Sequence, residues 1–359
     1  MASNTTYNLD DPALYTAVDP SGLRQRIRAL PQHCIAAWSQ TQAHQLPPDW
    51  ATANKVVIGG MGGSAIAGDL VSDLLAGPET VPVLVVRDLR IPFALDEHAL
   101  FIACSYSGNT EETLALFDQA VQTRAKILAI GSGGILAERA REVGIPFLTV
   151  GIATEPRTAV GYNLMLLVGA LKQAGLAAIG DDEVSAAVDA LERRVPKLHE
   201  DSPLANNRAK QLAVELLNKL IVVYGSGLFS GVARRWKSQF NENAKTWAFS
   251  EGVPEVLHNS VEAYASDSPV TDRITALVLE PAAGEGGHAR HNNVVSQLLS
   301  KNRVAHQVVM GETGSPLQQL LEMLLLGDYV SYYLALLQGV DPAPNPTIDI
   351  AKKLLADLD

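Results

Sequence analysis

Leu100-Phe-Ile-Ala-Cys-Ser-Tyr-Ser-Gly-Asn-Thr-Glu-Glu-Thr113 decides the fold of this chain. Residues 100–103 form an apolar run that reads as a buried strand. The loop after it carries Ser105, Ser107, Asn109 and Thr110, and a helix is expected from Glu111. Hydroxyls and unpaired backbone N–H groups would then converge at a helix N-terminus, where the helix dipole also favours an anion. The stretch therefore predicts a pocket for a phosphorylated small molecule.

Lys55-Val-Val-Ile-Gly-Gly-Met-Gly-Gly-Ser64 repeats the design: a strand, a Gly-rich loop, then a helix over 65–75. Glycines let backbone approach a ligand closely. The spacing is not G-x-G-x-x-G, and no Lys-Ser or Lys-Thr pair follows, so it is neither a dinucleotide fingerprint nor a triphosphate loop. A hydroxyl-rich pocket without that lysine suits one phosphate on a sugar. An ordinary strand–turn–helix connection is the plainer alternative for each loop alone, and less so for the pair.

Outward from these loops, strands are expected at 55–59, 83–86, 100–104, 126–130 and 146–150. Helices such as 113–125 lie between them, and 161–174 reads as an apolar helix. This alternation is the pattern of an α/β fold with a mostly parallel sheet flanked by helices. Residues 1–50 read as an N-terminal helical arm ended by Pro47-Pro48, and 51–178 as a first α/β domain. Residues 179–207 form a helical connector, with Val184, Val188, Leu191, Val195 and Leu198 at helical spacing. In the second domain, 208–359, Lys219-Leu-Ile-Val-Val-Tyr-Gly-Ser-Gly-Leu-Phe-Ser-Gly231 reproduces the strand and Gly/Ser loop. Strands at 274–279 and 304–309 and a long helix over 316–338 follow. Two copies of one fold and two independent α/β units both fit this pattern.

The chain has 359 residues, a net charge of −11 and 47% hydrophobic residues. An acidic balance argues against nucleic acid or an anionic membrane as a partner. No apolar run is expected to span a membrane. The N-terminal residues have neither the basic nor the apolar region of a secretory signal, so a cytoplasmic protein is expected. Asn4-Thr-Thr6 matches a glycosylation acceptor, which has no meaning without secretion. Cys34 and Cys104 offer no disulfide framework and no zinc spacing. Cys104 reads as a small buried residue at a strand end rather than a nucleophile.

The second half supplies acid–base groups. Asn241-Glu-Asn-Ala-Lys245 is expected on a helix running from about Arg234, with Glu242 near Trp236 and Trp247. A carboxylate held among amides and aromatics can act as a base, although a solvated helix carboxylate fits the spacing equally. His258 lies in a proline-initiated loop segment, where an imidazole could move protons near neutral pH or be merely exposed. His288 and His291 form a pair without a third metal ligand, beside a Gly284-Glu-Gly-Gly287 loop, so no metal is expected. Arg157 follows a first-half strand, so it could meet a ligand at the sheet's C-terminal edge or be exposed. Lys352-Lys353 in the last helix reads as a solvated face.

Taken together, Met61-Gly-Gly-Ser64, Ser105-Tyr-Ser-Gly-Asn-Thr110, Pro156-Arg-Thr-Ala-Val-Gly-Tyr162, Asn241-Glu-Asn-Ala-Lys245 and Pro254-Glu-Val-Leu-His-Asn259 resemble the bifunctional phosphoglucose/phosphomannose isomerases. That family belongs to the sugar isomerase (SIS) domain superfamily. The resemblance implies two SIS-type domains and an aldose–ketose isomerase needing no cofactor. Its substrates would be glucose 6-phosphate and mannose 6-phosphate, converted to fructose 6-phosphate through a cis-enediolate. It implies that Gly63, Ser64, Ser105, Ser107 and Thr110 bind the sugar phosphate and that Arg157 steadies the enediolate. Glu242 would be the base, with His258 and Lys352 (or Lys353) assisting ring opening. It also implies a homodimer with a shared site, in a family whose sites can draw the histidine from the neighbouring subunit. Ala67 and Ser260 depart from residues common in the family. The alternative is a non-catalytic sugar-phosphate-binding SIS protein.

Overall fold

The computed structural model describes residues 7–265, 269–282 and 287–358. The Asn4 motif and residues 284–286 of the expected glycine loop lie outside the described residues. Three helices form the arm: α1 (Pro12–Val18), α2 (Leu23–Arg28) and α3 (Leu30–Gln42). The first sheet follows as β1 (Lys55–Gly60), α4 (Gly62–Leu74), β2 (Val83–Val86), β3 (Ala99–Ser105), α5 (Glu111–Val121), β4 (Lys126–Gly131), α6 (Gly134–Glu142) and β5 (Phe147–Thr149). Next come α7 (Val160–Gln173), α8 (Asp181–Leu198) and α9 (Arg208–Glu215). The second sheet comprises β6 (Leu220–Gly225), α10 (Ser230–Glu242), β7 (Ala248–Gly252), β8 (Ile274–Glu280), α11 (Ala289–Lys301) and β9 (Ala305–Met310). The chain ends with α12 (Pro316–Leu337) and α13 (Pro346–Ala356).

All pairings in both sheets are parallel. The strand orders are β2-β1-β3-β4-β5 and β7-β6-β8-β9. Matching β6 to β1, β7 to β2, β8 to β3 and β9 to β4 makes the second order a copy of the first without its last strand. Of the two possibilities open in the sequence, the two-copy arrangement is the one observed.

Strand periodicity divides the side chains between two faces. Val56 and Ile58 of β1, Leu100 and Ile102 of β3, and Leu128 and Ile130 of β4 enter one large core. Ile221 and Val223 of β6 and Leu277 and Leu279 of β8 enter that same core from the second sheet. The opposite face of the first sheet, with Val57, Phe101 and Ala129, is covered by α5 and α6. The opposite face of the second, with Tyr224, Ala276 and Val278, is covered by α11. The inner layer of helices is thus shared, and α4 of the first half packs on α10 of the second.

At the middle of that layer lies α12, which packs on α8, α9 and α10. Its 22 residues match a membrane span in length and composition, correcting the expectation that no such run exists. Here 94% of its apolar 18-residue window is buried inside the protein, and the helix carries one side of an ion pair, Arg235 to Asp328.

Candidate active site

Ligands of open parallel sheets bind beyond the carboxyl ends of the strands, where the strand order reverses. In the first sheet that point lies between β1 and β3, the two strands that feed the loops singled out in the sequence. Met61 caps α4 in an extended conformation without a side-chain hydrogen bond, and no acidic residue occupies the first turn. Thr110 caps α5 in the same way, but Glu111 and Glu112 fill that first turn. Of the two helix starts, α4 is therefore electrostatically the better anion site. The loops are tied together where the Tyr106 N–H donates to Ser64 Oγ at 3.1 Å. Ser105 Oγ accepts from the Gly108 N–H at 3.1 Å and donates to Thr110 Oγ1 at 2.9 Å. That geometry leaves the Thr110 hydroxyl hydrogen free to donate elsewhere. Ser107 is exposed, and its Oγ accepts from the Asn109 N–H at 3.2 Å.

Gly63 connects these loops to Arg157. A Cβ at position 63 would lie 2.7 Å from the Pro156 carbonyl oxygen, so only glycine permits this approach. The segment from Thr154 to Arg157 is pinned from several sides. Tyr106 donates its hydroxyl to the Ile152 carbonyl at 2.9 Å and accepts from the Thr154 N–H at 2.8 Å. Glu155 binds Arg26 of α2 through both oxygens, at 2.8 and 2.6 Å. Burial alone would raise the Glu155 carboxyl, but the Arg26 hydrogen bond and charge, a backbone hydrogen bond and the Arg157 charge together hold the group below its ordinary range. Arg235 donates to the Arg157 carbonyl at 2.6 Å and pairs with both Asp328 oxygens at 2.9 and 3.0 Å.

Arg157 is 4% exposed and reaches across to the second half. Its Nε donates to Asn243 Oδ1 at 2.9 Å, and Nη2 donates to the Ala343 carbonyl at 2.6 Å. Its Nη1 lies 3.8 Å from Glu242 Oε2. Burial pushes the guanidinium below its ordinary value, while Glu242 and Glu155 oppose the shift. Glu242 is the last residue of α10 and opens on a cleft of about 500 Å³ lined by Asn241, Lys245, Trp247 and Asn345. The Glu242 carboxylate thus borders this cleft, the buried Arg157 guanidinium approaches it from behind, and Gly63 of the first phosphate-suited loop packs on the Arg157 backbone. This pairing can remove a proton and stabilise the resulting oxyanion.

The structure does not bring every expected group to this point. His258 is exposed in a short 3₁₀ turn, and among the described residues its imidazole has no hydrogen-bond or ion-pair partner. Lys352 and Lys353 are exposed on α13, which buries none of its residues. The helix with Glu242 starts at Ser230 and stops at Glu242, so Asn243, Ala244 and Lys245 lie beyond its end. Trp236 does not border Glu242's cleft; it is fully buried and donates to the Met323 carbonyl at 3.0 Å. Among the described residues no group of three or more His, Cys, Asp or Glu side chains could hold a metal ion. Asn243, Asn345 and Tyr106 were not singled out by residue type. The amides flanking Glu242 were the one available signal for Asn243.

Residues 205–355 match the bacterial phospho-glucose isomerase C-terminal SIS domain. A bifunctional phosphoglucose/phosphomannose isomerase of Caldicellulosiruptor bescii is 35% identical over 85% of this chain and 90% of its own length. This chain belongs to the bifunctional phosphoglucose/phosphomannose isomerase family. A second member, from Thermoplasma volcanium, is 35% identical over 84% of this chain and 92% of its own. The fold also matches the solved structure of tagatose-6-phosphate ketose/aldose isomerase from Escherichia coli. That match has a TM-score of 0.70 and 16% identity, covering 94% of this chain and 97% of the other. The stretches that resembled the family, including the Arg157 and Glu242 segments, therefore sit in a chain of that family.

Proposed function

We propose that this protein is an aldose–ketose isomerase that interconverts glucose 6-phosphate and mannose 6-phosphate with fructose 6-phosphate. The observation that carries the reading is the buried Arg157 of the first half facing Glu242 of the second, 3.8 Å apart, next to the phosphate-suited loops. Gly63, Ser64, Ser105, Ser107 and Thr110 anchor the phosphate through hydroxyls and loop amides. The anchor sets the sugar's reacting carbons against the Glu242–Arg157 pair, which replaces a bimolecular encounter with a held geometry. Glu242 takes the proton from the carbon next to the carbonyl and returns it to the neighbouring carbon. Arg157 stabilises the negative charge on the cis-enediolate oxygens between those two steps.

Ring opening moves a proton between oxygens and falls to His258 with Lys352. Both lie on exposed surface, so a second copy of the chain is read as completing the site. Exposed apolar residues support a homodimer: Ile350, Leu354 and Leu355 on α13, and Trp247 stacked on Phe249 at the edge of the second sheet. The protein is read as cytoplasmic, with its two sheets as successive SIS domains.

A coupled assay with glucose 6-phosphate, mannose 6-phosphate and arabinose 5-phosphate in EDTA tests the reading. The two hexose phosphates should turn over, with exchange of the C2 hydrogen into solvent. Binding without turnover would leave a non-catalytic sugar-phosphate-binding protein, and dependence on a divalent ion would overturn the metal-independent mechanism.

A further inference from the structure

The turn between α12 and α13 is held over the Glu242 cleft by two cations. Arg157 donates to the Pro342 carbonyl at 3.1 Å, and Lys245 Nζ donates to the same oxygen at 3.3 Å. Lys245 also donates to the Glu242 backbone carbonyl and, at 3.4 Å, to Asn345 Oδ1. Asn345 in turn donates from Nδ2 to Glu242 Oε2 at 3.2 Å. Among the described residues this is the only hydrogen bond that the Glu242 carboxylate receives. The orientation of the amide follows from chemistry. An ammonium only donates and a carboxylate only accepts, so an amide bridging them must turn its oxygen to Lys245 and its NH₂ to Glu242.

We propose that Asn345 and Lys245 are positioning residues for Glu242: Lys245 orients the Asn345 amide, and Asn345 holds the carboxylate in the rotamer that faces Arg157. This rests on the reading of Glu242 as the base. Lys245 reaches the turn from a left-handed backbone, φ 52°, which brings its chain back beneath residues 342–345. Much of its side chain is exposed, but the ammonium is crowded among these oxygens. Burial of that end pulls the amine down to about 8. Arg157 of the β5–α7 loop adds to the shift, and Asp341 before α13 and Glu242 at the end of α10 oppose it. As pH rises through about 8 the amine loses its proton, the Asn345 amide loses its fixed orientation, and turnover should fall.

Wild-type protein, Asn345→Leu, Lys245→Met and the double variant are compared for kcat, KM and thermal midpoint, and Lys245→Arg for its pH profile. Each single variant should lose roughly 10-fold in kcat with KM within about twofold, and the double should lose little more than the worse single. Lys245→Arg should recover part of the turnover and move the alkaline fall upward, because a guanidinium keeps its proton there. A kcat within twofold of wild type in both singles, fully multiplicative losses, or an unmoved alkaline fall in Lys245→Arg overturns the proposal. A crystal structure of Asn345→Leu reads the same claim without turnover. Displaced or split Glu242 carboxylate density supports it, and an unchanged single rotamer overturns it. Wild-type protein that fails to isomerise hexose phosphates counts against the proposed function instead, and the carboxylate rotamer still decides the clamp. Should Lys245→Met fail to fold, the Asn345→Leu kinetics and structure decide alone.

Discussion

Glu242 is the residue on which the proposed chemistry turns. Replacing it with Gln keeps shape and removes the base, so kcat should fall by roughly 10²–10⁴-fold while KM changes little. Loss of C2-deuterium exchange in the same variant checks that proton abstraction is the step affected. Retained exchange would move the base elsewhere, with Glu251 and Glu255 the next to test. The phosphate loops give the opposite split. Thr110→Ala should raise KM by an amount equivalent to ~1–3 kcal/mol, as when a hydrogen bond to a charged group is lost, and Ser105→Ala should raise it through the Thr110 hydroxyl and loop backbone that Ser105 Oγ orients. Ser105 should be the more damaging because its Oγ also holds the Gly108 N–H. An unchanged KM in the double variant rejects this placement. Residue types marked the hydroxyl loops as a candidate anion site, whereas Glu242 and Arg157 stayed ambiguous by residue type and were singled out by the motifs that resemble the family. Their meeting was not legible. Arg157 reaches Asn243 across 86 positions, a distance closed by tertiary packing such as that of α4 on α10. Asn345 carries no local signature, since an asparagine before a proline reads as an ordinary helix start.

Elements differ in how openly the sequence declares them. The central strands β1, β3, β4, β6 and β8 stood out as apolar runs because helices cover both faces of each sheet. Strand β7 was not anticipated: it is an edge strand that exposes Phe249 and half-covers Ser250 and Glu251, so it presents no apolar run. Helix α11 was missed for a related reason, burying only Asn292, Val295 and Leu299 along its 13 residues. The contact of α10 with α12 gives an element-scale prediction. A Cβ at Gly327 of α12 would lie 2.1 Å from Trp236 Nε1 of α10, and the indole is locked by its bond to Met323. Gly327→Ala should therefore cost about 1–3 kcal/mol through overpacking, despite alanine's better helix propensity. Urea unfolding of the variant checks this, and a midpoint at or above wild type would show that the two helices can part without cost.

In the whole molecule two copies of a fold share one central core, and the candidate site draws residues from both. If the proposed homodimer shares its sites, mixing inactive Glu242→Gln and His258→Ala chains should restore roughly a quarter of full activity, from the one intact site in each hybrid. No recovery after verified subunit exchange would assign both residues to the same subunit's site. The placement of α12 also bears on how the chain is made. The surfaces it covers on α8, α9 and α10 all precede it in sequence, so they leave the ribosome first. At ~5–20 residues per second, roughly 4–15 s separate the end of α10 from the start of α12. Throughout that interval the nascent polypeptide presents the inner faces of both halves with their central filler still unsynthesised. A stalled or nonsense product ending before Pro316 is therefore a sticky intermediate calling for a holdase, and never a smaller working enzyme.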